Sequence, residues 1–278
     1  MSVSPIPRPL VDALALADPS WHNALRAGLE AMARRDPSYL PQLVSTDYLP
    51  TGGRIFAAFA QPLPRVRYVL FGEGPYPRAA SAIGLCFMDG AVDELWSPRG
   101  LATAVNRATS LRNFIKMLLV ADGCLDPKNM SGAALVSVAR IATAPDSGWI
   151  QTRSDLQRNL LENGFLLLNA TLVFRPNVAP LFDALAWQPL MQAVLTALAE
   201  SAAQRHYAAP TLVLWGKIAA QLYALAISRT FPQVASEHPY NLTFIVNPAM
   251  QQLFGPMHLL QRRSSASTTM DDVKEKAG

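Results

Sequence analysis

Cysteine is scarce in this chain, with only Cys86 and Cys124 among 278 residues. Two thiols exclude a disulfide framework, a four-cysteine zinc site and an iron–sulfur cluster held by four protein thiolates, so both read as buried reduced thiols. Charged residues make up only 16% of the chain against 50% apolar ones. That balance excludes a disordered chain and a highly charged coiled coil, and it leaves a globular protein. Nowhere does an apolar run approach the roughly 18 residues of a membrane-spanning helix. Met1 to Asp18 carries Arg8 but no compact apolar core ahead of a small-residue cleavage site, so the expectation is a cytoplasmic protein with no membrane span. Charge of one sign is lacking too. The net charge is +4; the segment from Ser264 contributes −1 and the remainder +5. Such a balance permits a nucleic-acid partner without requiring one.

What is present is an alternation of two periodicities. Val66 to Phe71, Phe165 to Leu168 and Thr211 to Trp215 are short apolar runs, each followed by a strand breaker (Gly72, Asn169, Gly216), and they read as buried parallel strands. A weaker strand is expected at Gln233 to Ser236. Helical patterns occupy Trp21 to Arg34, Ser110 to Val120, Ser154 to Asn163, Leu190 to Ala203 and Ile218 to Ser228. The alternation predicts an α/β fold, a three-layer α/β/α arrangement around a central four-stranded parallel sheet, as a single domain over residues 1–262. The segment 263–278, rich in Ser, Thr and charge, is expected to be disordered. In such a sheet the ligand crevice lies beyond the carboxyl ends of the strands. The residues there are Gly72 to Pro77, Asn169 to Thr171, Trp215 to Lys217 and Glu237 to Tyr240.

Read in order, these strand ends form a series: YVLFGEGPYP (Tyr68 to Pro77), GLCF (Gly84 to Phe87), SLRN (Ser110 to Asn113), GFLLLN (Gly164 to Asn169), LVLWG (Leu212 to Gly216), EHP (Glu237 to Pro239) and LFG (Leu253 to Gly255). The series resembles the uracil-DNA glycosylase superfamily over about Trp21 to Gln261, and is closest to its iron-free family. No single piece is specific; their order and spacing carry the resemblance. It implies a monomer that everts uracil from DNA and hydrolyses its glycosidic bond, with uracil-containing DNA as partner and no metal or cofactor.

Carried over residue by residue, the resemblance implies that Phe87 stacks on the flipped base and that Asn169 reads its polar edge through a side-chain amide, which offers both donor and acceptor. Tyr76 would exclude the methyl group of thymine, with Gly72 and Gly74 lining the base. His238 would stabilise the departing anion, and Ser110, Ser236 and Leu242 would touch DNA, Ser110 also capping its helix and Leu242 acting as wedge. Two positions depart from the iron-free pattern. Gly74 stands where that family carries a water-orienting aspartate, and Pro77 where it carries a histidine after the tyrosine. The GEGP loop instead resembles that of the iron–sulfur type, whose four cluster cysteines this chain lacks. Either Glu73 orients water or offsets the sugar cation, or substrate binding energy and leaving-group stabilisation carry the rate with no strong base needed. A second reading stays open, a superfamily member that binds DNA without hydrolysing it.

Overall fold

The computed structural model describes residues 6–218, 222 and 225–263. Its centre is a four-stranded parallel sheet in the order β4 (Phe165–Asn169), β1 (Tyr68–Gly72), β5 (Thr211–Trp215) and β6 (Gln233–Ser236). The first three strands are apolar along nearly their whole length because helices cover both faces, so alternation gives way to continuous burial. β6 lies at the edge and is only partly buried. Tyr68 pairs with Phe165 and Gly72 with Asn169, which brings the last residues of two neighbouring strands side by side. Between β1 and β4 a short antiparallel ribbon, β2 (Trp96–Ser97) with β3 (Gly100–Leu101), packs on a helix.

The helices are α1 (Arg8–Ala13), α2 (His22–Arg35), α3 (Tyr39–Val44), α4 (Thr103–Arg107), α5 (Thr109–Ala121), α6 (Gly132–Ala142), α7 (Arg153–Glu162), α8 (Pro180–Gln204) and α9 (Pro248–Phe254). A capping box opens α7: the Asp155 N–H donates to Thr152 Oγ1, and the Asp155 carboxylate accepts from the Thr152 N–H, both at 3.1 Å. The α2 and α8 helices cross closely at Gly28, where a Cβ would come within 2.9 Å of the Leu190 Cα. Among the described residues the buried apolar side chains form one continuous cluster on both faces of the sheet, and no helix is long and apolar enough to cross a membrane.

Four expectations need correction. The helix expected from Leu190 starts ten residues earlier, at Pro180, and runs through Pro189. Proline removes the N–H that would bond to Leu185 four residues back, and the Arg35 Nη1 donates to that freed carbonyl at 3.2 Å. The helix expected over Ile218 to Ser228 lies partly outside the described residues; its distal part is overturned, because Leu225 is extended and Ala226–Thr230 forms a 3₁₀ turn. Ser110 does not cap α5. The short α4 has already turned the chain, so α5 begins at Thr109 with Ala108 at its N-cap and no side-chain cap. Finally, Cys86 is buried but Cys124 is exposed, in the loop just after α5. The tail expected to be disordered lies, from Ser264 on, outside the described residues.

Candidate functional site

The carboxyl ends of β1, β4 and β5 converge on a small set of polar and aromatic groups. Asn169 ends β4 with only 2% of its surface exposed, and its Oδ1 is buried without a hydrogen-bond partner. That amide lies across Gly72: a Cβ on Gly72 would meet Asn169 Oδ1 at 2.5 Å and the Cys86 Cβ at 2.8 Å. Only glycine at the end of β1 leaves space for both. Cys86 is joined to the strand end by its N–H, which donates to the Leu167 carbonyl at 3.2 Å, and by its thiol, which donates to the Leu70 carbonyl at 3.0 Å. Burial pushes that thiol well above its ordinary pKa, so it stays protonated and acts as packing.

Phe87 follows directly, at φ +65°, a left-handed conformation rare for an aromatic residue and held here by its surroundings. Its half-buried ring meets Trp215 at 5.0 Å and Phe114 at 5.2 Å, both edge to face. The Tyr76 hydroxyl donates to the Phe87 carbonyl at 3.1 Å. Burial is the main cause that holds this phenol above its ordinary pKa, with the charge of Asp89 adding to it, so the ring is a neutral wall.

On the far side of β5, Gly216 has φ +66° and a Cβ there would stand 3.0 Å from the His238 Cβ, so glycine again sets a close approach. His238 is tied on a rigid loop. The Asn113 amide donates to the Pro239 carbonyl at 2.7 Å and to that of Tyr240 at 3.3 Å, and the Asn241 N–H donates to the His238 carbonyl at 2.9 Å. The Tyr240 N–H donates to His238 Nδ1 at 3.1 Å. With Nδ1 accepting, the proton of the neutral ring sits on Nε2. His238 is exposed at the rim; partial desolvation of its ring lowers the pKa and the charge of Glu73 opposes that shift, so the neutral form, with Nε2 as donor, is favoured.

Glu73 is exposed at the lip of the site, where its carboxylate is close enough to act on His238. It also lines a cavity of about 330 Å³ with Gly74, Thr171 and Arg175. Beyond Gly74 there is room: the nearest atoms to a Cβ built there are the Thr171 carbonyl at 3.7 Å and the Thr171 Cβ at 3.9 Å. Arg175 is buried in this wall, paired with Asp183 through Nε at 3.1 Å, and Asp183 also accepts from the Tyr39 hydroxyl at 2.7 Å.

At this rim Gly72 lies against Asn169, Tyr76 is bonded to Phe87 and Glu73 acts on His238, while Glu73 and Gly74 line one cavity and Tyr76 another. Ser110 lies in the first turn of α5, where it shares a cavity of about 400 Å³ with Tyr76. The Ser236 hydroxyl donates to the Glu237 carbonyl at 2.9 Å. Leu242 is 66% exposed and Tyr240 69% exposed, on the loop that carries His238. The sequence places Trp215 and Tyr240 at the crevice and Asn113 in the SLRN motif but gives none of them a role. Asn113 left a signal, an amide on the buried stripe that α5 forms with Leu111, Phe114 and Ile115. Among the described residues no cluster of three or more His, Cys, Asp or Glu side chains could hold a metal ion.

This arrangement offers an aromatic wall, a buried amide acceptor, a neutral imidazole donor and a carboxylate at the lip. No family model matches the chain. The uracil-DNA glycosylase of Mycobacterium avium (strain 104) is 27% identical over 237 residues, which cover 85% of both chains. That of Mycobacterium tuberculosis (strain ATCC 25177 / H37Ra) is 25% identical over 237 residues with the same coverage. A wild-type UNG crystal structure from Nitratifractor salsuginis is 40% identical, with a TM-score of 0.81 over 91% of this chain and 97% of that one. With such a likeness along nearly its whole length, and with the strand-end residues gathered at one rim, the chain belongs to the uracil-DNA glycosylase superfamily.

Proposed function

We propose that this cytoplasmic, monomeric protein hydrolyses the N-glycosidic bond of deoxyuridine in DNA, releasing uracil and leaving an abasic site for base-excision repair. The observation that carries this reading is the buried, unpartnered Oδ1 of Asn169. An unsatisfied buried acceptor costs about 1–3 kcal/mol, which a ligand donating N–H to that atom recovers. Uracil presents such a donor at N3, whereas cytosine presents an acceptor there and is refused. The base enters everted from the stack, with Phe87 against its face and Tyr76 beside C5, where a methyl group would clash.

As the C1′–N1 bond breaks, its electron pair moves onto the uracil ring and the sugar becomes oxocarbenium-like. His238 Nε2–H donates to the O2 oxygen, where the negative charge collects; a preorganised donor of this kind is commonly worth about 3 kcal/mol. Water then adds to C1′ and releases its proton to solvent. Glu73 has the charge both to offset the sugar cation and to accept a hydrogen bond from that water, in place of the aspartate missing at Gly74. The exposed Leu242 suits the wedge that fills the vacated stack, and Ser110 and Ser236 suit phosphate contacts.

The test is alkaline cleavage of uracil-containing oligonucleotides after incubation with the protein, with thymine- and hypoxanthine-containing strands as controls. Uracil strands are expected to be cut and the controls left whole. Asn169→Ala and His238→Ala should each lower turnover at least about tenfold, the equivalent of about 1.4 kcal/mol. Folded protein that binds the uracil strand without cutting it would overturn the hydrolytic reading.

A further inference from the structure

At the opposite rim of the sheet, where the strands begin, the chain forms a larger hollow of about 890 Å³. Its charged lining is one-sided: Arg65, Arg67, Arg205 and Arg263 face it together with a single carboxylate, Glu162. Arg263 takes up that carboxylate at 3.8 Å. Arg205 donates from Nε to the Ser201 carbonyl at 3.0 Å and from Nη1 to the Pro64 carbonyl at 2.7 Å, which fixes its direction without cancelling its charge. Arg65 and Arg67 are exposed and have no side-chain partner among the described residues. Their backbone is not free to drift, because the Arg67 N–H donates to the Gly164 carbonyl and the Arg67 carbonyl accepts from the Thr211 N–H, both at 2.9 Å. Three guanidinium groups without counter-charge are therefore gathered on a fixed rim.

Beside them stands Tyr207, 68% exposed, with the Arg205 guanidinium 5.2 Å from its ring centre. Guanidinium groups recognise phosphate oxygens, and an exposed ring next to them offers a stacking face that every base can use. A simple anion would need no aromatic surface, and an apolar ligand would need no arginines. We propose that this hollow is a second, non-catalytic site for a single strand of nucleic acid, with phosphates on Arg65, Arg67 and Arg205 and one base on the Tyr207 ring. Strands of five residues put about 16 Å of sheet between this rim and the strand ends, so a strand seated at Asn169 does not occupy it. Its occupant is a second segment, held while the strand-end site samples the first.

The experiment titrates the full-length protein with a uracil-free single-stranded DNA of about twelve nucleotides. It follows stoichiometry and the salt dependence of affinity, with inorganic polyphosphate as a probe of charge alone. The expected result is two strands per wild-type protein and one for the Arg65→Ala/Arg67→Ala double variant, whose cleavage of a short uracil strand is unchanged. The salt slope of the lost event should correspond to at least two phosphates, each about 0.7 on a single strand. Tyr207→Ala should weaken DNA binding at this site about tenfold, the loss of one stacked base, and leave polyphosphate binding as it was. A double variant that binds as many strands as the wild-type protein, whether one or two, would overturn the proposal. Equal loss of DNA and polyphosphate on Tyr207→Ala would overturn the stacking role and hence the assignment to nucleic acid. These readouts need no catalysis, so they stand or fall separately from glycosidic hydrolysis.

Discussion

The two rims of one sheet carry polar groups in opposite physical states. At the strand ends the polar groups are few and mostly uncharged: Asn169 is buried with an orphan oxygen, His238 is exposed but has its pKa lowered by its surroundings, the Tyr76 hydroxyl donates to the Phe87 carbonyl, and the Glu73 carboxylate stands exposed at the lip. At the strand starts they are solvated and charged, with guanidinium groups around a wide hollow. Desolvated donors and acceptors discriminate one base from another because a mismatch leaves an unpaired buried atom. Solvated charges attract any phosphate chain, with strong salt dependence. On the proposed assignments, one fold separates reading a base from holding a strand.

The sharpest break of this contrast comes from a single methyl group. Gly72→Ala would put a Cβ 2.5 Å from Asn169 Oδ1 and 2.8 Å from the Cys86 Cβ, and the strand register leaves the amide as the group that must move. A displacement of about 1 Å can cost about a hundredfold in rate. The expected outcome is that loss in kcat/KM on uracil strands, with binding of uracil-free single strands at the arginine rim unchanged. Steady-state cleavage alongside a binding titration checks it, and a variant that keeps wild-type kcat/KM would show that the amide does not read the base.

A smaller effect is expected from Tyr76→Ala. Its ring is half-buried, with the hydroxyl anchored on the Phe87 carbonyl. Discrimination by one methyl group in an apolar pocket is worth about 10- to 200-fold. Removing the ring should therefore raise thymine release relative to uracil by at least about tenfold, read from parallel cleavage of the two strands. An unchanged ratio would move the exclusion of thymine to another wall.

Much of the strand-end rim was legible in the sequence because each strand there stops at a residue that breaks the apolar run, and a parallel sheet gathers those stops at one edge. Gln233 to Ser236 and Thr211 to Trp215 have the expected bounds. Helix starts were harder to place. Pro189 looks like a barrier in sequence, but Arg35 from a distant helix satisfies the carbonyl it frees, and only the tertiary structure brings that donor there. Ser110 has the chemistry of a cap, yet α4 turns the chain two residues too soon. The arginine hollow was not legible because Arg65, Arg205 and Arg263 are far apart in sequence and show no periodicity. Their convergence is a consequence of where the strands begin.

The subtlest expected effect concerns the charge at the lip. In the proposed route His238 acts as a neutral donor, so activity is lost when the ring gains a proton and not when it loses one. Partial desolvation lowers its pKa, which keeps the neutral form to more acidic pH than for an ordinary histidine; the Glu73 carboxylate favours the imidazolium and partly reverses this. Glu73→Gln removes that opposition. The acid limb of kcat/KM should therefore move to lower pH in the variant, whatever happens to the plateau rate. Because Glu73 is exposed, its influence on the ring is screened by salt, so the two acid limbs should draw together between low and high ionic strength. A limb that moves to higher pH in Glu73→Gln would mean that the titrating group is not His238. A difference that persists at high salt would mean that the carboxylate acts through a direct contact with substrate or water, which places Glu73 among the catalytic groups and not merely in their field.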